Sequence, residues 1–184
     1  MPIGDSQILF EGRRFRVERR VETGPDGREH LRDIVRHPGA AVILPLLDDG
    51  RLCLVRNYRP AVRETLIELP AGTLEPGEDP ARTALRELAE ETGYRAGRLE
   101  RLISFYSSPG ILDEHMHLYL ARDLTPGPMA LDPGEQLEPL LCSWQEALAM
   151  IDRGEIHDAK TLAGLLYGWR VKAGDWGPAA GAGG

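Results

Sequence analysis

The sequence predicts a mixed α/β fold: a sheet with helices on both faces, preceded by a small antiparallel β layer. Three observations point there. Short apolar runs of strand type recur along the chain, one of them closes a hairpin at Asp48, Asp49 and Gly50, and capped helical patterns interrupt and follow the strands.

The first layer covers residues 8–36. Ile8, Leu9 and Phe10, then Phe15 and Val17, then Leu31, Ile34 and Val35 form short runs broken by the turn residues Gly24, Pro25, Asp26 and Gly27. So few large apolar side chains need another surface to pack on. His37, Pro38 and Gly39 end this pattern, and AAVILPLL at residues 40–47 follows as a buried strand. After the turn, RLCLVRNYR at residues 51–59 returns with Leu52 and Leu54 inward and Arg56 outward, which makes the hairpin the expected spine of the sheet.

Residues 66–70 lead into Ala71 and Gly72, where a missing side chain lets the backbone approach a ligand. A helix start is then written at Asp79 and Pro80: an acid able to cap, and a proline whose fixed φ suits the first helical position. The helix runs to Thr92, with Gly93 as its stop. At roughly 100° per residue, Ala81, Ala84, Leu85, Leu88 and Thr92 form an apolar stripe. Beside it, Glu87, Glu90 and Glu91 gather on a second stripe.

Those three carboxylates repel one another and sit where the helix dipole prefers cations, each effect costing a few tenths to about 1 kcal/mol. A bound divalent cation reverses both signs, since hard ions such as Mg²⁺ take carboxylate and phosphate oxygens. A solvated acidic face is the plainer reading of three glutamates alone.

Beyond the helix, residues 101–108 and 115–121 read as strands around a Pro109-Gly110 turn, and residues 123–136 as a loop. Residues 137–142 suit a last strand. Ser143 with Glu146 reads as a capping box opening a helix through Met150 and Ile151, and a final helix from Ala159 or Lys160 to Val171 is expected to bury Leu162, Leu165, Leu166 and Trp169. The glycine- and alanine-rich end has too little to bury.

Composition bounds the function. At 184 residues the chain can bury about 70% of its unfolded surface in one domain. A net charge of −7 argues against general nucleic-acid binding, which draws on Lys and Arg contacts to phosphate. No apolar run reaches spanning length, so no membrane partner is expected. Cys53 and Cys142 have no metal-type spacing, and with no secretory signal the expected setting is cytoplasmic.

Gly72, Glu78, Arg86, Glu87, Leu88, Glu90, Glu91, Gly93 and Tyr94 fill every fixed position of the Nudix hydrolase box: Gly, five residues, Glu, seven residues, then Arg-Glu-hydrophobic-x-Glu-Glu-x-Gly-hydrophobic. The chain resembles that family, and against this match the solvated-face reading becomes remote. VRHPGAAVILPL, VRNYRPAVRETLIELPAG, SSPGILDEHMHLYLA with Pro109 fifteen residues past Tyr94, and DAKTLAGLL further resemble its ADP-ribose pyrophosphatase branch, over about residues 8–170.

The resemblance implies a Nudix fold, an α/β/α sandwich with a mixed sheet. It implies residues 1–38 as a dimerising N-terminal β layer, 39–172 as the hydrolase domain and 173–184 as a tail. It also implies two or more Mg²⁺ or Mn²⁺ ions on Glu87, Glu90, Glu91 and the Ala71 carbonyl, with Arg86 orienting the glutamates and Glu78 as either a ligand support or a helix-start acid. Arg59, Glu114, Gly110 and Arg13 are the implied substrate contacts. Glu135, with Glu138 second, is the implied general base. His115 and His117, on one strand face, are expected to be structural or solvent-facing.

The implied reaction is hydrolysis of ADP-ribose to AMP and ribose 5-phosphate by a homodimer. The alternatives are another nucleoside diphosphate sugar, such as ADP-glucose or GDP-mannose, and a non-catalytic ADP-ribose sensor.

Overall fold

The computed structural model describes residues 6–131 and 136–173. Strands β1 (Ser6–Glu11), β2 (Arg16–Thr23) and β3 (Glu29–Arg36) form a separate antiparallel sheet in that order. Strands β4 (Ala40–Pro45), β5 (Leu52–Arg59), β6 (Glu64–Glu68) and β7 (Ala71–Thr73) precede helix α1 (Pro80–Thr92). Then come β8 (Tyr94–Tyr106), β9 (His115–Pro126), β10 (Leu137–Cys142), α2 (Trp144–Asp152) and α3 (Ala159–Ala173).

The central sheet is mixed, ordered β7-β4-β9-β8, with β4 and β9 parallel and the outer pairs antiparallel. Alternation along its strands explains the layers. Ala41 and Ile43 of β4, with Tyr119 and Ala121 of β9, meet Ala84 and Leu88 of α1 on one face. Val42, Leu44, Leu118 and Leu120 point the other way, into a core shared with β5, β6, α2 and α3.

The expected spine is corrected here. β4 and β5 share a core but do not pair as strands: the hairpin is joined by a single bridge, Leu46 to Leu52, and β5 then pairs with β10 and β6 in a second antiparallel sheet. The turn is as expected, with Gly50 at φ 83° and its N–H donating to the Leu47 carbonyl. What separates the strands is that both are buried on two faces: β4 is buried throughout, as are Leu52, Cys53, Leu54 and Val55 of β5. Each takes the centre of its own sheet.

Further differences concern strand length and helix faces. β8 begins directly after Gly93, and β9 runs on to Pro126 through part of the segment expected to be a loop. Leu85 is 42% exposed and Leu166 51% exposed, because Ala84 and Leu88 on α1, and Thr161, Gly164, Leu165 and Gly168 on α3, take the contact faces. A Cβ on Gly164 would lie 2.3 Å from Leu69, and one on Gly168 2.3 Å from Leu44, so α3 packs closer than side chains would permit. Ser143 caps α2 by accepting from the Glu146 N–H, but the Glu146 carboxylate turns to Arg153, leaving half of the capping box unmade.

The N-terminal sheet is tied to the segment between β8 and β9. The Val35 N–H donates to Ile111 and the Asp113 N–H to Val35, while Arg36 pairs with Asp113 at 2.8 Å. Its remaining apolar surface is open: Ile8, Leu9, Phe10, Phe15 and Leu31 are 42–64% exposed.

Candidate active site

Helix α1 starts and stops as its sequence dictates. Asp79 accepts from the Ala81 N–H at 2.9 Å, Pro80 opens the first turn, and Gly93 closes the helix at φ 74° with its N–H on the Ala89 carbonyl. Packing of Ala84 and Leu88 on the central sheet turns Glu87, Glu90 and Glu91 toward a cavity of about 710 Å³.

Each carboxylate is held differently. Glu91 is buried and accepts from the Ala71 N–H at 3.0 Å. Glu87 lies over Gly72 so closely that a Cβ there would meet its carboxyl carbon at 1.9 Å. The missing side chain thus admits Glu87, where the sequence pointed to a ligand. Arg86 donates to Glu87 at 2.7 Å and Glu90 at 3.1 Å through Nη1, and to Glu78 at 3.3 Å through Nη2. Burial opposes the charge on Arg86, but hydrogen bonding to Glu78 and the field of Glu87 outweigh it and raise its pKa. Glu78 also accepts from the Glu75 N–H and is lowered chiefly by Arg86, so it buttresses the arginine that orients the others.

These residues fit a hard divalent cation. The donors are oxygens alone, and Gly72 leaves room for Glu87 beside the Ala71 backbone. Among the described residues, no three acidic, histidine or cysteine side chains form a ready-made cage.

The opposite wall is built from β5, β6 and α3. Arg59 donates to Glu68 through Nε at 2.8 Å and Nη2 at 2.6 Å, a two-point pairing. Glu68 is 1% exposed and also accepts from Lys160 at 2.7 Å; Lys160 in turn reaches Asp158 at 2.9 Å. Asp158 takes the Thr161 N–H and hydroxyl, capping α3. Hydrogen bonding to Glu68 raises the Arg59 pKa, with smaller help from Glu91 and Asp158, so the two walls sense each other. Sequence reasoning placed Arg59 here and missed Glu68, Asp158 and Lys160. The available signal was that Lys160 and Lys172 are the only lysines in the chain.

Glu114 also lines the cavity, held by the Ser107 hydroxyl at 2.7 Å and lying 3.5 Å from His37. Two expected contacts lie elsewhere. Arg13 faces a neighbouring hollow, whereas Arg14, beside it in the bend between β1 and β2, lines both that hollow and the main cavity. Gly110 lines a hollow against β3, since the 109–113 segment is drawn onto Val35. Glu138 is exposed on β10 opposite Arg56 and does not line the cavity. Glu135 lies outside the described residues. His115 and His117 pack edge to face, with His117 on the Ser104 hydroxyl.

No helix among the described residues is long and apolar enough to cross a membrane. The chain is 41% identical over 145 residues to the ADP-ribose pyrophosphatase of Bacillus subtilis, covering 78% of each chain. It is 40% identical over 164 residues to the methanol dehydrogenase activator of Bacillus methanolicus, covering 88% of this chain and 89% of that one. A crystal structure of an ADP compounds hydrolase superposes with a TM-score of 0.83 at 22% identity, covering 95% of both chains. The NUDIX domain model matches residues 35–165, which span β4 to α3 and both walls of the cavity, and the chain therefore belongs to the Nudix family.

Proposed function

We propose that the chain hydrolyses the pyrophosphate bond of ADP-ribose, giving AMP and ribose 5-phosphate, with Mg²⁺ or Mn²⁺. One observation carries this reading: Glu87 seated on Gly72, next to Glu91 held by Ala71, on one wall of a cavity whose other wall presents Arg59. The 41% identity to an ADP-ribose pyrophosphatase supports the choice of substrate.

Glu87, Glu90, Glu91 and the Ala71 carbonyl would hold the metal. Bound divalent ions supply positive charge to the pyrophosphate and lower the pKa of a water. The water oxygen bonds to phosphorus, the bridging P–O bond breaks, and Glu135 accepts the water proton. Arg86 keeps Glu87 and Glu90 aimed at the cavity, and Arg59 meets charge on the departing phosphate.

The test is phosphate release, coupled to a phosphatase, across ADP-ribose, ADP-glucose and GDP-mannose, with Mg²⁺, with Mn²⁺ and with chelator. Preference for another sugar moves the substrate assignment, and binding without turnover identifies a sensor.

The chain acts as a homodimer through its N-terminal layer, residues 1–38. Ile8, Leu9, Phe10, Phe15 and Leu31 leave apolar surface open on this layer, and Arg14 lines the cavity while Arg13 lines the hollow beside it. An obligate interface of this kind buries about 2,000 Å² or more. A monomer with full activity at micromolar concentration in sedimentation equilibrium refutes the dimer.

A further inference from the structure

We propose that Lys160 is a positioning residue: by holding the buried Glu68 carboxylate between α3 and β6, it fixes the Arg59 guanidinium in the cavity wall. The inference deepens the proposed hydrolysis and rests on Arg59 facing substrate.

Glu68 is the hub. Its carboxylate accepts three hydrogen bonds, Oε1 from Arg59 Nε and Oε2 from both Arg59 Nη2 and Lys160 Nζ. Arg59 keeps 39% of its side chain exposed, whereas Lys160 keeps 8% and Glu68 2%. One end of the chain of bonds thus lies in the cavity and the other is anchored in the fold.

The anchor is backbone-deep. Lys160 is fixed by Asp158, Asp158 by the Thr161 N–H and hydroxyl, and Thr161 accepts in turn from the Leu69 N–H at 2.8 Å. Leu69 directly follows Glu68 and packs against Gly164 of α3, so the start of α3 and the end of β6 cannot shift independently. With Nε and Nη2 bound to Glu68, the guanidinium plane is set while the side chain still reaches the cavity. A lone surface arginine would instead sample many rotamers and lose that freedom on binding.

Charge balance alone is a weaker account. Arg59 and Lys160 match Glu68 and Asp158 in number, yet neutrality would survive loss of Lys160 with Asp158, while the hold on Glu68 would not.

The test uses the full chain. The Arg59 Nε–H signal in a ¹H–¹⁵N spectrum, assigned as the one lost in Arg59→Lys, is expected to shift or broaden in Lys160→Met. It should stay so in Lys160→Met combined with Asp158→Asn. An unmoved signal in Lys160→Met, or its return in the double variant, overturns the proposal. If Lys160→Met does not fold, Lys160→Gln, too short to reach both carboxylates, is read the same way.

In turnover, Lys160→Met is expected to raise KM for ADP-ribose about ten- to a hundredfold, the range for losing one charged hydrogen bond, with a smaller change in kcat. Arg59→Ala should cancel this effect, whereas additive losses mean that Lys160 acts independently and overturn the proposal. A wild-type chain that leaves ADP-ribose intact refutes the proposed substrate, and the spectroscopic result then decides the positioning role alone.

Discussion

The two walls of the cavity handle charge in opposite ways. On α1, Glu87, Glu90 and Glu91 crowd at the end of a helix whose last turn has no basic residue, and Arg86 is the cation that three of the surrounding carboxylates share. On the facing wall, Arg59 and Lys160 meet Glu68 and Asp158 in alternation, each with a partner of opposite sign. The first wall carries surplus negative charge that a cation would relieve. The second is complete within the protein. Surplus charge marks where an ion belongs, and balance marks where a side chain is being held still.

Substitutions on the acidic wall should therefore damage turnover and spare the fold. Glu91→Gln and Glu87→Gln are each expected to lower kcat by several orders of magnitude with Tm unchanged or raised, since each loses a metal oxygen while relieving repulsion. Near-normal Mg²⁺-dependent kinetics in either variant removes that wall from the reaction.

Glu135→Gln should lower kcat by about 10²- to 10⁴-fold with metal affinity retained, the range for a lost general base. If Glu138→Gln shows that loss and Glu135→Gln does not, the base is the residue on β10.

Gly72→Ala should cost about 10²-fold in kcat/KM, the scale of a small misplacement at a reacting centre, because its Cβ must push Glu87 aside. The displaced group is the outer part of one side chain rather than backbone, so thermal unfolding should change little.

The balanced wall should respond the other way. Glu68→Gln leaves Arg59 without its paired carboxylate and Lys160 with Asp158 alone, and breaking a buried pair costs about 3–5 kcal/mol. Partial exposure of Arg59 puts the expected loss at the lower end, read by denaturant unfolding.

The smallest effect lies outside both walls. Hydrogen bonds from Arg36 and then Arg20 hold the Glu18 carboxyl down from 4.5 to about 2. A lowered folded-state pKa gives stability that is present above pH 4.5 and lost as pH falls toward 2. Thermal melts across that window should show a shallower slope for Glu18→Gln than for wild type.

Local chemistry was legible in the sequence. The Asp79-Pro80 start, the Gly93 stop and the glutamate spacing all follow from residues within a few positions of one another, and the structure places each as expected. Pairing was less legible. Buried strands such as residues 40–45 lack the alternation that assigns a face or a partner, so nothing local reveals that β4 joins β9 while β5 joins β10. The balanced wall was hidden for a related reason. Glu68 and Lys160 are 92 positions apart, and a charged residue in an apolar stretch declares its burial only once its partner is found. Leu85 and Leu166 show the converse: a helical stripe fixes an angle, and the neighbouring element decides how much of it is covered.

The parallel pairing of β4 with β9 has a consequence for how the chain reaches its native state. Val42 lies beside Leu118 at the centre of the molecule, yet β5, β6, β7, α1 and β8 all intervene along the chain. The β8–β9 hairpin is local and can form early, whereas the central pair must close a long loop before its contacts stabilise anything. The innermost strands are thus among the last to be joined, and until then the β4 edge stands open to other chains.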